Sequence, residues 1–411
     1  MTPRRTALLM LFVATGFSAG AAVAADSDGK DLIYRKSSSL ALPAYIESET
    51  ATDITYRTLK GDNVALNHLK PNEVVRIVYA GMEAGSWKRG EEEKAAGNYE
   101  TAAERFNQVA TGMREWEKTY GSYAEGECWE LAGKYADAAK AFAGVVNGFA
   151  GNPTGTPPVA AHRLWLDAKY HMGMDYALSK NPDAVKVADE LEALDKKSSV
   201  PAAASRAYAI RCAIAGGEGN VAKFTEFMRK NTFRVFDEQE VWFHFRMYCA
   251  EALRGPLKKP KDAVAIFREM ELQITPAQPE RLAQVSLGLG LCLKEGGDKD
   301  NALLQLLKLD VLPYGSPDQK CVARFHAAQL VWEQAQTMKT LPDLAKDPKK
   351  VAFVKEQERV ARVIAAAAAD GPAKNPVTAQ AIAMVKEFGP DPDAPKEVSK
   401  APGAAATEPP K

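Results

Sequence analysis

The sequence predicts a mainly α-helical protein, a series of antiparallel helix pairs stacked as an α-solenoid and preceded by a small β-rich module. Three observations predict it. The stretch "GNYETAAERF" from Gly97 to Phe106 returns as "GKYADAAKAF" from Gly133 to Phe142. From Trp87 to about Phe388, apolar residues recur at helical spacing, with Gly or Pro roughly every 15 to 20 residues. From Asp31 to Tyr79 the text is instead short runs rich in Ile, Val, Tyr and Thr, the chemistry of strands and turns.

The elements follow in chain order. Arg4 and Arg5 open the chain, an apolar run extends from Ala7 to Phe17, and small residues follow at Ala22-Val23-Ala24. This three-part pattern predicts a signal peptide over residues 1–24, cleaved before Ala25. The apolar run is shorter than the ~20 residues of a spanning helix. The expected destination is therefore the periplasm, reached across the inner membrane, with no stable membrane insertion after cleavage. No Cys lies near the cleavage point to suggest a lipid anchor.

Residues 31–80 form the predicted β-rich domain. The runs "DLIYR", "LPAYIESET", "DITYRTL" and "VVRIVY" are separated by "KSSS", "AT" and "KGDN". Four or five strands in a segment this short make a small barrel or curled sheet. It resembles SH3-like or Sm-like modules in size and strand rhythm. A domain of this size buries little core by itself, which predicts that it docks on the helices behind it.

Residues 83–388 form the predicted helical domain. Around the turn residues Gly97 and Gly133, the same offsets hold Gly90 and Gly126, Tyr99 and Tyr135, Ala102 and Ala138, Phe106 and Phe142. Around Gly297 they hold Gly290, Lys299, Ala302 and Leu306. Small residues let two helices approach closely. The turn glycines allow the backbone angles that end one helix before the next. The aromatics fill the gaps between neighbours. "KKPKDAVAIF" keeps Ala263 and Phe267 but has Lys258 at the turn, and 159–196 and 201–230 read as helix pairs lacking a turn glycine.

On these residues the chain resembles the tetratricopeptide-repeat family, most clearly over 83–147, less so over 283–308, and in part over 238–272. The resemblance implies stacked pairs whose first helices line a concave, peptide-gripping face. Position by position, the slots on that face fall to Trp87, Glu91 and Lys94 in one repeat and to Tyr120, Tyr123, Glu127 and Glu130 in the next. The strip is acidic and aromatic, unlike the basic carboxylate clamp of chaperone-binding members. "GFAGNPTGTPPVAAH" (Gly148–His162) interrupts the pairs and reads as a connector, with a groove-closing loop as the alternative. Residues 389–411, rich in Pro, Ala and charge, read as a disordered tail.

Chemistry is sparse. The "GFSAG" match to a hydrolase elbow lies inside the signal peptide, and no P-loop, dinucleotide fingerprint or HExxH is present. His68, His162, His171, His244 and His326 lack a second ligand at helical spacing, with no Asp or Glu arrangement beside them, and read as structural. "EVWFHFRMYC" (Glu240–Cys249) places Val241, Phe245 and Tyr248 on one helical face, a packing pattern. "KRGEEEK" (Lys88–Lys94) reads as a solvated face with local ion pairs. Cys128, Cys212, Cys249, Cys292 and Cys321 read as small apolar filler, with one inter-helix disulfide left open and no zinc spacing.

The 53 basic and 53 acidic residues become 51 and 53 once Arg4 and Arg5 are removed, which gives no footprint for nucleic acid. The expected function is a non-catalytic interaction scaffold with no cofactor and no metal, holding a protein or peptide of the cell envelope. A small-molecule carrier using a groove near residues 148–162 is the alternative, and an enzyme of unfamiliar type is the third reading.

Overall fold

A computed structural model describes residues 29–60, 63–148, 161–198, 203–233, 239–275, 278–312, 315–373 and 375–390. The expected signal peptide, nearly all of the Gly148–His162 loop and all but the start of the expected tail lie outside the described residues. Within them the protein is mainly helical, with fifteen α-helices and a five-stranded antiparallel sheet at the N-terminal end. The chain groups into two compact units, one up to Gln273 and one from Ile274 onward.

The first unit begins with strands β1 (Asp31–Arg35), β2 (Leu42–Glu49), β3 (Ile54–Lys60), β4 (Asn63–Leu69) and β5 (Val74–Val78). β1 to β4 form a meander and β5 returns beside β1, giving the order β4-β3-β2-β1-β5. Register shifts at Tyr34/Arg35 and Ile46/Ser48 bend and twist the strands locally. The four sequence runs become β1, β2, β3 and β5. β4, "NVALNHL", carries a weaker β signal, and long pairing with β3 defines it. The buried face of the sheet centres on Ile33, Ile54, Val74 and Ile77. It packs against Trp87, Trp116 and Tyr120 of the helices that follow.

Those helices are α1 (Gly85–Ala95), α2 (Tyr99–Ala110), α3 (Glu115–Leu131), α4 (Tyr135–Gly148), α5 (Trp165–Leu178), α6 (Asp183–Ser198), α7 (Ala203–Gly217), α8 (Val221–Lys230), α9 (Gln239–Arg254) and α10 (Pro260–Gln273). Each of α1–α2, α3–α4, α5–α6, α7–α8 and α9–α10 is a packed pair joined by a turn too short for anything but antiparallel neighbours. Gly97 and Gly133 sit in their turns at φ near +75° (76° and 73°). The sequence pattern places no turn glycine in two of the pairs. The structure puts Gly219 at φ 72° in the α7–α8 turn and Lys180 at φ 61° in the α5–α6 turn. Lys258 holds the same conformation, at φ 53°, between α9 and α10.

Close approach explains the glycines inside the helices. A Cβ on Gly90 would come within 2.8 Å of the Phe106 ring, and one on Gly126 within 2.7 Å of Phe142. The ring of the second helix thus lies over a glycine of the first. Phe106 also belongs to the cluster with Ala124 and Cys128, so it ties α1–α2 to α3.

The second unit contains α11 (Pro279–Glu295), α12 (Lys299–Val311), α13 (Pro317–Lys339), α14 (Pro348–Ala369) and α15 (Pro376–Phe388). α11 and α12 repeat the pair design, with Gly297 at φ 87° and Gly290 under Leu306. α13 and α14 are much longer, at 23 and 22 residues. Their core is built on Ala361, Ala365 and Ala368 against Phe325, Val331 and Met384. Trp332 stacks on Phe388 at 4.0 Å, closing α15 onto the pair.

Candidate functional site

Alternate helices of the first unit carry one continuous polar row. Lys94 on α1 donates to the Glu127 carboxylate on α3 at 2.9 Å. His171 Nδ1 on α5 lies 2.8 Å from Glu130 Oε1 on α3. Arg206 on α7 donates to Asp167 on α5 at 2.6 Å. Three ion pairs therefore cross α1–α3, α3–α5 and α5–α7 in sequence. In two of them the cation is the more buried partner: the side chains of Lys94 and Arg206 are 18% and 6% exposed, against 38% and 35% for Glu127 and Asp167. The carboxylates of Glu127 and Asp167 form the outer edge, and the exposed Glu91 of α1 adds a third.

Charge is tuned along the row. Burial works against the Lys94 ammonium, yet Glu127 and Glu91 hold its pKa above the ordinary lysine value. Burial also opposes the Glu127 carboxylate, but Lys94, His171 and His244 bring its pKa below the usual range. His171 loses to burial and gains more from Glu130, Asp167 and Glu127, so it keeps its proton to higher pH than a free imidazole. Behind it lies Asp175, fully buried, whose carboxyl oxygens meet no donor. Burial first, and then the adjacent Glu130, push its pKa well above the ordinary carboxyl value.

The seven residues placed on the strip by sequence fall into two groups. Glu91, Lys94, Glu127 and Glu130 belong to the polar row. Trp87, Tyr120 and Tyr123 are engaged in packing. Trp87 meets Phe106 and Trp116 edge-on, at 5.0 and 6.2 Å. Tyr123 lies against Phe142 and His171.

Tyr120 belongs to a separate buried network that fastens the sheet to the helices. Its hydroxyl donates to Glu49 at 2.8 Å and accepts from Arg163 at 2.6 Å. Tyr79 and Arg163 donate to the same carboxylate, and His162 lies 3.8 Å away. Ala51 N–H adds a backbone bond to the Ala161 carbonyl at 2.8 Å. Glu49 from β2, Tyr79 after β5, Tyr120 from α3 and Arg163 before α5 thus form one saturated knot. Burial would raise the Glu49 pKa, but His162, Arg163 and Tyr79 bring it down to about 2.

Sequence reasoning did not find this knot or the α5 part of the row. The knot leaves no local signal, since Glu49 and Arg163 are 114 residues apart. The α5 part does leave one, contrary to the reading that no acid arrangement accompanies the histidines. Asp167, His171 and Asp175 recur every four residues on one helical face.

Among the described residues no cluster of His, Cys, Asp and Glu could hold a metal ion, and no helix is long and apolar enough to cross a membrane. In the second unit a depression of about 480 Å³ is lined by Lys320, Cys321, Arg324 and Asp370 among others. Arg324 is engaged there by Asp310 at 2.7 Å. No protein-family model matches the chain, and no curated protein matches it.

Proposed function

We propose that the protein is an exported, periplasmic, non-catalytic scaffold of the tetratricopeptide-repeat kind. Its helix pairs stack as an α-solenoid, and the face made by α1, α3, α5 and α7 holds a basic segment of an envelope protein. The reading of the sheet as an SH3-like or Sm-like module belongs to the same proposal and draws on its five-strand antiparallel order.

One observation carries the choice of ligand. Along the row, Glu91, Glu127 and Asp167 are the outermost charges while Lys94 and Arg206 sit deeper. A segment lying across alternate helices meets carboxylates at successive steps, which suits Lys or Arg side chains and repels acidic ones. The acidic strip implied by the repeat resemblance is consistent with this, with the contact moved from the aromatics to the carboxylates.

Titrating the chain from Ala25 onward with lysine-rich and glutamate-rich peptides tests the proposal. Only the basic peptides should bind, with affinity falling as salt rises. Glu91→Lys, an exposed change, should weaken that binding by about tenfold, or ~1.4 kcal/mol. Equal binding of both peptide classes, or no effect of Glu91→Lys, overturns the reading.

A further inference from the structure

All five cysteines are buried thiols, but their surroundings differ. Cys128 packs in the cluster around Phe106 and Ala124. Cys321 contacts the Ala368 carbonyl and the Thr378 hydroxyl at 3.3 and 3.4 Å. Cys212 and Cys249 instead face a shared contact. Cys212 lies on α7 and Cys249 on α9, both completely buried, and at that level the Tyr248 hydroxyl, beside Cys249 in the chain, donates to the carbonyl of Ala213, beside Cys212, at 3.1 Å. α7 and α9 pack directly. The Cys212 thiol also points at the Phe224 carbonyl of α8, 3.5 Å away, so its position is held from two sides.

We infer that Cys212 and Cys249 are a disulfide-forming pair that bolts the α7–α8 pair to α9. The two cysteines lie at the same level of the packed α7–α9 contact, and closing the bond brings their sulfurs to about 2.05 Å. The oxidant is a low-molecular-weight or protein disulfide of an oxidising compartment. One cysteine thiolate attacks that disulfide, forming a mixed disulfide and releasing one thiol. The second cysteine then attacks the first cysteine's sulfur in that mixed disulfide, forming the Cys212–Cys249 bond and releasing the other external thiol. The two protons of the cysteine thiols end on the two released external thiols, and the two electrons of the oxidation reduce the external disulfide. Burial raises the Cys212 thiol far above its ordinary pKa. The exchange therefore takes place while α7 and α9 are still opening and closing, and the finished fold shields the product. In the cell the reaction rests on the export proposed above, because thiols of reducing compartments stay reduced.

Refolding the full chain in a mixture of reduced and oxidised glutathione tests the pair regardless of where the cell delivers the protein. The refolded chain is denatured, its free thiols are blocked with N-ethylmaleimide, and its peptides are mapped by mass spectrometry. The expected result is a crosslink between the Cys212 and Cys249 peptides, with Cys128, Cys292 and Cys321 blocked. Five blocked cysteines, or a crosslink between any other two, overturns the inference. Thermal unfolding supplies a second measurement: the oxidised chain should melt several degrees above the reduced one. Cys212→Ser should abolish that difference, and its persistence in the variant would also overturn the pair. The thiol state of chain recovered from the cell envelope reports on export separately.

Discussion

Asp175 has no donor to receive a negative charge. Its side chain is fully buried, and its neighbour is the carboxyl group of Glu130, which His171 already engages. Protonation of Asp175 resolves the conflict, so it stays neutral well above the pH at which a solvated aspartate ionises. The linkage has a definite sign. Between the ordinary carboxyl value of 3.8 and its raised value, the folded chain holds a proton that the unfolded chain releases. Stability therefore falls as pH rises through that window. Asp175→Asn keeps a neutral side chain of the same size beside Glu130 and removes the penalty. The variant should match the wild type near pH 4 and exceed it by on the order of 1 kcal/mol at pH 8, measured by urea unfolding at both pH values. A wild-type chain that gains stability from pH 5 to pH 8 in step with the variant would show that Asp175 is ionised. The four-residue spacing of Asp167, His171 and Asp175 makes this cluster readable from sequence. Its partner Glu130, on another helix, becomes apparent only when α3 lies beside α5.

At the scale of elements, one closure recurs. In five turns the residue after the left-handed position donates its N–H to a carbonyl five residues back, and after Lys258 the Lys259 N–H reaches Leu253, six back. Asn98 reaches Glu93, Lys134 reaches Trp129, Asn181 reaches Tyr176, Asn220 reaches Ala215 and Asp298 reaches Leu293, at 2.7 to 2.9 Å. This is the Schellman end of a helix, and it requires a positive φ at the preceding residue. Glycine meets that need at 97, 133, 219 and 297, while lysine does so at 180. The turn positions 180, 219, 258 and 297 are evenly spaced at thirty-nine residues. A search keyed to glycine skips Lys180 and Lys258 and so loses this period. A lysine in the left-handed region costs about 1 kcal/mol that glycine does not. Lys180→Gly should therefore stabilise the chain by ~0.5–1 kcal/mol, read as a higher urea midpoint with an unchanged slope. A destabilised variant would show that the Lys180 side chain contributes more than its backbone costs.

At the scale of the molecule, the two units rest on different interactions. The second is closed by alanine-rich contacts and the Trp332–Phe388 stack. In the first, the buried Glu49 knot joins the sheet to α3 and to the start of α5. Glu49 has its pKa lowered from 4.5 to about 2, so its contribution is present above 4.5 and is lost as pH falls from 4.5 towards 2. The loss is on the order of 3 kcal/mol. Acid should loosen the sheet early, and the fluorescence of Trp116, stacked on Tyr79 at 5.5 Å, should change over that range. Glu49→Gln should flatten that acid dependence while lowering stability at pH 7 by about 3–5 kcal/mol, because Arg163 loses its buried counter-charge. An acid response identical in wild type and variant would place the loss elsewhere.

The sequence by itself determined the helices, the β-rich start, the turns at Gly97, Gly133 and Gly297, and the small residues beneath Phe106 and Phe142. These depend on spacing and turn chemistry within a few residues, which a linear text records. Tertiary structure alone decided the Glu49–Arg163 knot, the division of the helices at Gln273, the placing of Cys212 level with Cys249, and which members of the acidic strip remain at the surface. Those outcomes depend on which helix lies against which, and residues far apart in the chain carry no mark of one another until packing brings them together.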